Sequence, residues 1–282
     1  MARTLLLTLA FLGCAARSAP PEEIRLLARV DDMGVSQAVN EACIRTYTDG
    51  IARSVEVIVP GPWFPDAVRR LKEHPGFDVG IHLCLTSEWE NVKWRPLTHA
   101  PSLVDSEGYF FPMTRQRADF PPGTGFLDAR PKLDEVEREL RAQIETIKRH
   151  LPRTSHMTAH MGTATSSPEL RALVERLGGE YGLAVDTQGL KPLRGWSGAR
   201  KSAAEKEAAL VEAIGKLEPG DWMLVEHPGF DVAEMRAMGH KGYENVAEDR
   251  AGVTLALTSP RVKKAVQDRG VRLIGYPDLK PK

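Results

Sequence analysis

The chain has 282 residues, and its 38 Lys and Arg residues balance its 38 Asp and Glu residues, so its formal net charge is zero. This balance argues against nucleic acid or an acidic membrane surface as a partner. No apolar run reaches the ~20 residues that a membrane-spanning helix needs, and the length suits one α/β barrel-sized domain.

Residues 1–19 predict an export signal that is not part of the fold. An early arginine precedes an apolar run, and small residues suited to cleavage follow it. The letters FLGC loosely resemble a bacterial lipoprotein cleavage box, so lipid anchoring at Cys14 is an alternative. We therefore expect a periplasmic or extracellular protein in which residues 20–282 form a single domain.

Two cysteines, Cys43 and Cys84, remain after such a leader. A chain of this length buries enough core to need no disulfide staple. We therefore expect two buried thiols rather than a disulfide.

The rest of the chain alternates short β-rich runs with longer helical patterns, which predicts a parallel sheet with crossover helices. Two of the helical patterns open with Ser-Pro, typical of an N-cap serine followed by proline at the first helical position. About seven strands predict one distorted (β/α) barrel in the α/β class. Strands are expected at residues 24–30, 53–59, 77–85, 154–160, 181–185, 222–226 and 271–276, and helices at 36–47, 65–73, 133–150, 167–177, 202–217 and 259–268.

A long segment, residues 86–132, interrupts this alternation after the third predicted strand. It is rich in proline, glycine and aromatic residues, including Trp89 and Trp94. A connection of this length inside a compact domain is usually functional. Because it follows a strand, we expect it to cover the C-terminal mouth of the barrel, where such folds carry their active sites.

Two adjacent carboxylates, Asp31 and Asp32, follow the first predicted strand. Successive strand residues face opposite sides, so such a pair inside a sheet would bury one unpaired charge at considerable cost. We therefore expect the pair at a strand end, beside a cation. Gly34 would let the backbone turn sharply enough for both side chains to face one cavity.

Three histidines lie in or near predicted strands. His82 belongs to the face opposite the aliphatic residues of its strand, and by itself it favours a hydrogen-bonded core histidine. His156 and His160 would be about 6 Å apart on a helix but about 13 Å apart in a strand. The flanking residues favour the strand, so only His160 is a candidate ligand at the mouth, and His156 is expected deeper in the barrel.

Glu226 and His227 end the sixth predicted strand. Alternation sends their side chains to opposite sides, so at most one faces the mouth directly. Two imidazoles and one carboxylate at the same end of separate strands make an open facial site for a divalent transition metal. One aspartate would hold the ion, and its neighbour would be free to take a proton from bound water.

Several ordered motifs resemble the YdjC-like carbohydrate deacetylases over nearly the whole chain after the leader. They are RVDDMGVSQAVNEA, VGIHLCLT, TSHMTAHMGT, LVEHPGF and the C-terminal EDRAGVTLALTSPRVKKAVQDRGVRLIGYPDL. The resemblance implies a distorted barrel, one divalent metal ion, with zinc or magnesium the leading candidates, and removal of acetyl groups from N-acetylated sugars.

The resemblance also implies roles for particular residues. Asp31 would be the catalytic base and His227 the acid that protonates the leaving amine, while Arg250 would steady the site. The implied metal ligands are Asp32, His82 and His160.

The chain departs from the family pattern at two places. Where many members read Asp-Ser-His-Gln-His, this chain has Thr-Ala-His-Met-Gly at residues 158–162, and Cys84 replaces an asparagine of the family. Trp89 and Trp94 could stack on a sugar ring or could form a hydrophobic plug under the loop. A homodimer, a metal-dependent phosphoesterase and an exported metal- or glycan-binding protein without turnover are alternatives that the sequence leaves open.

Overall fold

The computed structural model describes residues 23–185, 190–198 and 201–279. The predicted export signal at residues 1–19 and the alternative lipid anchor at Cys14 lie outside these residues. Within the described part, no helix combines the length and apolar character needed to traverse a bilayer.

A parallel sheet, with seven strands in the described part of the chain, forms the centre of the fold. The strands run in the order β4-β3-β2-β1-β6-β5, and β7 pairs with the first residues of β1. Among the described residues every pairing between strands is parallel, so the predicted α/β class and distorted barrel are confirmed. The strands are β1 (Ile24–Met33), β2 (Ser54–Val57), β3 (Asp78–Leu83), β4 (His156–Ala159), β5 (Lys191–Pro192), β6 (Gly220–Glu226) and β7 (Arg272–Ile274).

Helices connect these strands, and all six predicted helices begin close to their predicted positions. Ser36, Ser167, Ser202 and Ser259 are N-caps whose hydroxyls accept backbone N–H groups of the first helical turn. The helices are α1 (Gln37–Thr48), α2 (Phe64–Glu73), α3 (Leu133–His150), α4 (Pro168–Tyr181), α5 (Ala203–Gly215), α6 (Ala233–Arg236), α7 (Val246–Thr258) and α8 (Pro260–Asp268). Of these, α6 and α7 were not predicted.

The prediction of a strand at residues 181–185 is wrong. Tyr181 is the last residue of α4, Gly182 caps the helix in the left-handed conformation, and Ala184 makes only an isolated bridge to His156. This stretch is a helix end followed by a short connection in which Leu183 is buried and its neighbours Gly182 and Ala184 are exposed. The fifth strand is instead the two-residue β5, beside β6.

Helix α7 was not predicted from the sequence, although it carries Arg250. It contacts both α1 and α5, and its buried residues include Val246, Val253 and Leu257. Because it is covered on more than one side, its apolar residues do not form the single stripe that indicates an amphipathic helix.

The two faces of the sheet differ in polarity. Apolar residues such as Val55 and Ile81 pack under the helices, whereas polar residues on the other face form a buried stripe. A Cβ atom at Gly80 would collide with Nε2 of His156 and with a carboxylate oxygen of Glu56, so only glycine allows these two side chains to meet. In register along the stripe lie Arg29, Ser54, Glu56, Gly80, His82, His156 and Thr158.

The long segment after β3 covers the carboxyl ends of the strands. Its regular structure, within the described residues, is one turn of 3₁₀ helix at Pro101–Leu103 and two bridges. The Thr114 and Thr163 hydroxyls lie 2.6 Å apart, which joins this segment to the loop that follows β4. The predicted position over the mouth of the barrel is therefore observed.

Candidate metal centre

Asp31 and Asp32 lie inside β1, which continues to Met33 instead of ending at Val30 as the sequence predicts. The backbone of Asp32 has φ of 73°, and the pairing with β2 shifts between Val30 and Met33. This irregularity breaks the alternation of side chains. The carboxylates therefore both face His82, whose Nε2 lies 3.8 Å from Asp31 and 3.7 Å from Asp32. The predicted common cavity is present. Gly34 has φ of 108°, so the backbone turns there as expected, and the left-handed Asp32 is a further irregularity within the strand.

Each aspartate forms an ion pair with a different arginine. Arg29 donates two hydrogen bonds to Asp31, at 2.8 and 2.9 Å, and Arg250 donates one to Asp32 at 2.7 Å. Burial would raise the pKa of each carboxyl, but the neighbouring arginine and the nearby histidines together outweigh burial and hold the pKa below its usual value. Sequence reasoning missed Arg29, although residues two apart in a strand share a face.

Asp32, His82 and His160 converge at the carboxyl ends of β1, β3 and β4. One ligand atom of each lies within 4.8 Å of the others, and all three side chains are buried. Oδ1 of Asp32 is 3.3 Å from Nδ1 of His160, and it is a buried oxygen without a hydrogen-bond partner. A cation would satisfy this oxygen, and two imidazole nitrogens with one carboxylate form a donor set that suits zinc.

His82 is held in the orientation that a ligand requires. Its Nδ1 lies 2.7 Å from the hydroxyl of Thr158, which itself donates to Glu56 at 2.6 Å. The Thr158 hydroxyl must therefore accept the Nδ1–H of His82, which leaves Nε2 unprotonated toward Asp32. Burial lowers the pKa of His82 to about 4, so the ring is neutral at physiological pH.

His160 lies between two carboxylates. Its Nδ1 faces Asp32, and its Nε2 lies 2.9 Å from Glu88, a buried residue of the long segment. Burial would lower the pKa of His160, but the negative charge of Glu88 contributes to raising it well above its usual value. Glu88 is the second residue after the VGIHLCLT motif, in a stretch whose sequence signal came from its aromatic residues, so sequence reasoning missed it.

His156 lies deeper in the barrel than the three converging residues. It is fully buried, its Nε2 is 2.5 Å from Glu56, and its ring stacks on Tyr276 with 3.4 Å between centroids. These contacts are those of a structural histidine, as expected. The sequence signal for this polar layer was the charged Glu56 between the apolar residues Val55 and Val57.

Glu226 and His227 have different surroundings, as the alternation predicts. His227 is half-buried and close enough for its charge to lower the pKa of both Asp31 and Asp32. Glu226 pairs in register with Val30, and its electrostatic neighbours include Lys206 and Asp249. Burial raises the pKa of Glu226 to about 8.

The two tryptophans of the long segment are buried rather than open to solvent. The exposed fractions of Trp89 and Trp94 are 2% and 3%. The Arg250 guanidinium lies 5.1 Å from the Trp89 ring centre, and the rings of Trp94 and His160 are 6.1 Å apart. This packing is the arrangement that the hydrophobic-plug interpretation predicts.

A family model described as YdjC-like protein matches residues 25–268. The chain belongs to the YdjC-like family. A carbohydrate deacetylase from Brevibacillus brevis is 26% identical over 91% of this chain and 100% of its own length. Another from Thermus thermophilus is 35% identical over 56% of this chain, a match that spans only 51% of that relative.

Solved structures agree with this assignment at the level of the fold. An Enterococcus faecalis crystal structure, named for a proposed cellobiose-phosphate cleavage activity, superimposes with a TM-score of 0.72. It is 22% identical, and the match covers 92% of this YdjC-like chain and 100% of the other.

The departures from the family motif have visible structural consequences in this YdjC-like chain. Where an acidic residue is expected, Thr158 connects His82 to the carboxylate of Glu56 on the neighbouring strand. Cys84 is buried, and its sulfur lies 3.2 Å from the indole nitrogen of Trp94. Cys43 and Cys84 are both free and buried, which confirms the expectation of two thiols.

Proposed function

We propose that this protein is a metal-dependent carbohydrate deacetylase that removes acetyl groups from N-acetylated sugars or oligosaccharides. The observation that carries the proposal is the buried cluster of Asp32, His82 and His160 with a second carboxylate, Asp31, beside it. The names of the full-length relatives support the same reaction. A divalent cation held by the cluster, with zinc and magnesium the candidates, would polarise the acetyl carbonyl and acidify a bound water.

Asp31 is suited to accept the proton of the attacking water. It lies outside the cluster of three ligands but only 3.8 Å from Nε2 of His82. Arg29 keeps it ionised and fixes the plane of its carboxylate through two hydrogen bonds. Asp32 is bound by Arg250 on one oxygen and offers the other to the cation.

His227 is suited to protonate the departing amine. The amide nitrogen leaves readily only when it receives a proton, and histidine is the side chain that exchanges protons near neutral pH. His227 stands at the end of β6, the strand beside β1, and its charge acts on both aspartates. It is half-buried, which leaves it accessible to a substrate.

A phosphoesterase is less well supported by the charges at the site. Such an enzyme needs cationic groups that meet the phosphate. Arg29 and Arg250 are both engaged with carboxylates instead. Export of the protein is part of the proposal and rests on the predicted signal at residues 1–19.

The test is acetate release by the purified full chain. The protein is treated with a chelator, reloaded with zinc or magnesium, and incubated with N-acetylglucosamine and its short oligomers. We expect acetate and free amine in equal amounts, loss of both after chelation, and recovery on reloading. Stoichiometric metal binding without acetate from any of these sugars would contradict the proposal and favour a binding protein without turnover.

A further inference from the structure

A carboxylate outside the aspartate pair contacts one of the three candidate ligands of the metal centre. Oε2 of Glu88 lies 2.9 Å from Nε2 of His160, and both side chains are almost fully buried. On the opposite side of the ring, Nδ1 of His160 faces Oδ1 of Asp32 at 3.3 Å. The two nitrogens of one imidazole therefore have separate partners, one within the cluster and one in the long segment.

We infer that Glu88 is a positioning residue for His160, an inference that rests on the proposed function. Its carboxylate accepts the Nε2–H, which fixes the tautomer that presents Nδ1 to the cation. A carboxylate on the remote nitrogen of a ligating histidine also makes the ligand more basic and restricts rotation of the ring. Metal affinity therefore depends on a residue of the long segment that is not one of the three ligands.

The surroundings of Glu88 hold the carboxylate in place. Its neighbour Ser87 donates its backbone N–H to Phe111, and the Ser87 hydroxyl accepts the backbone N–H of Trp94. The Trp94 ring in turn packs edge-on against His160, with 6.1 Å between ring centroids. The base of the long segment is thus fixed at the point where it meets His160.

The same arrangement occurs at His82, with a different acceptor. There the remote nitrogen is Nδ1, and the acceptor is the hydroxyl of Thr158, which is bound to Glu56. Each candidate ligand imidazole is therefore oriented through the nitrogen that does not face Asp32. Glu88 provides this contact directly, and it does so from outside the strands that carry the ligands.

The inference is tested by metal binding without any substrate. The chelator-treated full chain is titrated with Co²⁺, whose visible absorption bands report the ligand set, and its affinity is measured by competition with a chelating dye. Glu88→Ala removes the acceptor, and Glu88→Gln keeps a carbonyl oxygen that can still accept the Nε2–H. Glu90→Gln removes the same charge from an exposed side chain of the same segment and is the matched control.

We expect Glu88→Ala to weaken Co²⁺ binding by about 10–100-fold and to leave the positions of the absorption bands unchanged. Glu88→Gln should recover part of the affinity, and Glu90→Gln should bind like the wild type. Unchanged affinity in both Glu88 variants would overturn the inference. Shifted bands would also overturn it, because they would make Glu88 a direct ligand.

Failure of the proposed function gives a different result. A wild-type protein that binds Co²⁺ but releases no acetate would contradict deacetylation and leave the role of Glu88 intact. A wild-type protein that binds no Co²⁺ would overturn both. If Glu88→Ala does not fold, the comparison of Glu88→Gln with Glu90→Gln still decides, since these variants remove one charge each and keep the side-chain size.

Discussion

Arg29 and Asp31 face the same side of β1 and are joined by two parallel hydrogen bonds. Burial disfavours the ionised form of Asp31, but the positive charges around it outweigh this effect and lower the pKa of the carboxyl, and the Arg29 guanidinium is the largest of them. Arg29 also donates to the hydroxyl of Tyr276 at 3.0 Å. The proposed base is thus kept ionised in mildly acidic solution by a cation that does not belong to the metal cluster.

Replacing Arg29 should move the acidic limb of the pH profile. In Arg29→Gln the pKa of Asp31 should rise by about 1–3 units, so kcat/KM for acetate release should begin to fall at a higher pH. Arg25→Gln is the control, because Arg25 lies on the same strand but pairs with Asp221. An acidic limb that stays in place in Arg29→Gln would show that Asp31 is not the titrating base.

Substitution of each of the two adjacent aspartates should cause a different defect, loss of catalysis in one case and loss of metal in the other. Asp31→Asn should retain the metal and lose about 10²–10⁴-fold in kcat, because the proton acceptor is removed while the three candidate ligands remain. Asp32→Asn should lose metal, because it removes a ligand charge and leaves Arg250 buried without its carboxylate. Elemental analysis and acetate release on the same samples separate the two effects. Equal metal loss in both variants would contradict the division of roles.

The convergence of the three candidate ligands could be predicted because it follows from topology. Parallel strands bring their carboxyl ends to one edge, so Asp32, His82 and His160 needed only correct strand assignments to be grouped. The serine N-caps were equally predictable, since their signal is local. The end of helix α4 at Tyr181 was not predictable, because a helix end and a strand show the same short apolar pattern there.

The polar partners of the site could not be predicted from any local pattern. Asp32 has a left-handed backbone, and its carboxylate is bound by Arg250, which is 218 residues away in the sequence. The contact of Glu56 with Thr158 depends on how β2, β3 and β4 align, and Glu88 reaches His160 only because the long segment folds back. Such contacts can be predicted only when the register of the strands and the path of the loop are known.

The hydroxyl of Thr158 should be needed for the orientation of His82. Thr158→Val keeps the shape but leaves the Nδ1–H of His82 and an oxygen of Glu56 without this partner, which should cost about 1–3 kcal/mol of unfolding free energy. Its metal affinity should fall by about 10-fold or more. Thr158→Ser retains the hydroxyl and should stay near the wild type in both denaturation and metal titration. Equal affinity of the Val and Ser variants would contradict this role.

Glu226 should make the stability of the fold depend on pH. It lies near Lys206, whose ammonium is already bound to Asp249 at 2.5 Å, and burial raises the pKa of Glu226 to about 8. An unfolded glutamate loses its proton near its ordinary value of 4.5. Between these two pH values the folded protein holds a proton that the unfolded chain releases, so the free energy of unfolding falls as the pH rises.

Glu226→Gln removes this titration and should become increasingly stable relative to the wild type from pH 5 to pH 8. The gain is at most ~1.4 kcal/mol per pH unit, the free energy of one unit of pKa difference, and it should level off above pH 8. Urea denaturation at several pH values measures it. Glu218→Gln, an exposed glutamate just before the same strand, is the control and should follow the wild type at every pH. A difference in unfolding free energy between Glu226→Gln and the wild type that stays constant with pH would mean that Glu226 is ionised in the folded protein. That state would require a closer contact between Glu226 and Lys206 than is possible while Lys206 is paired with Asp249.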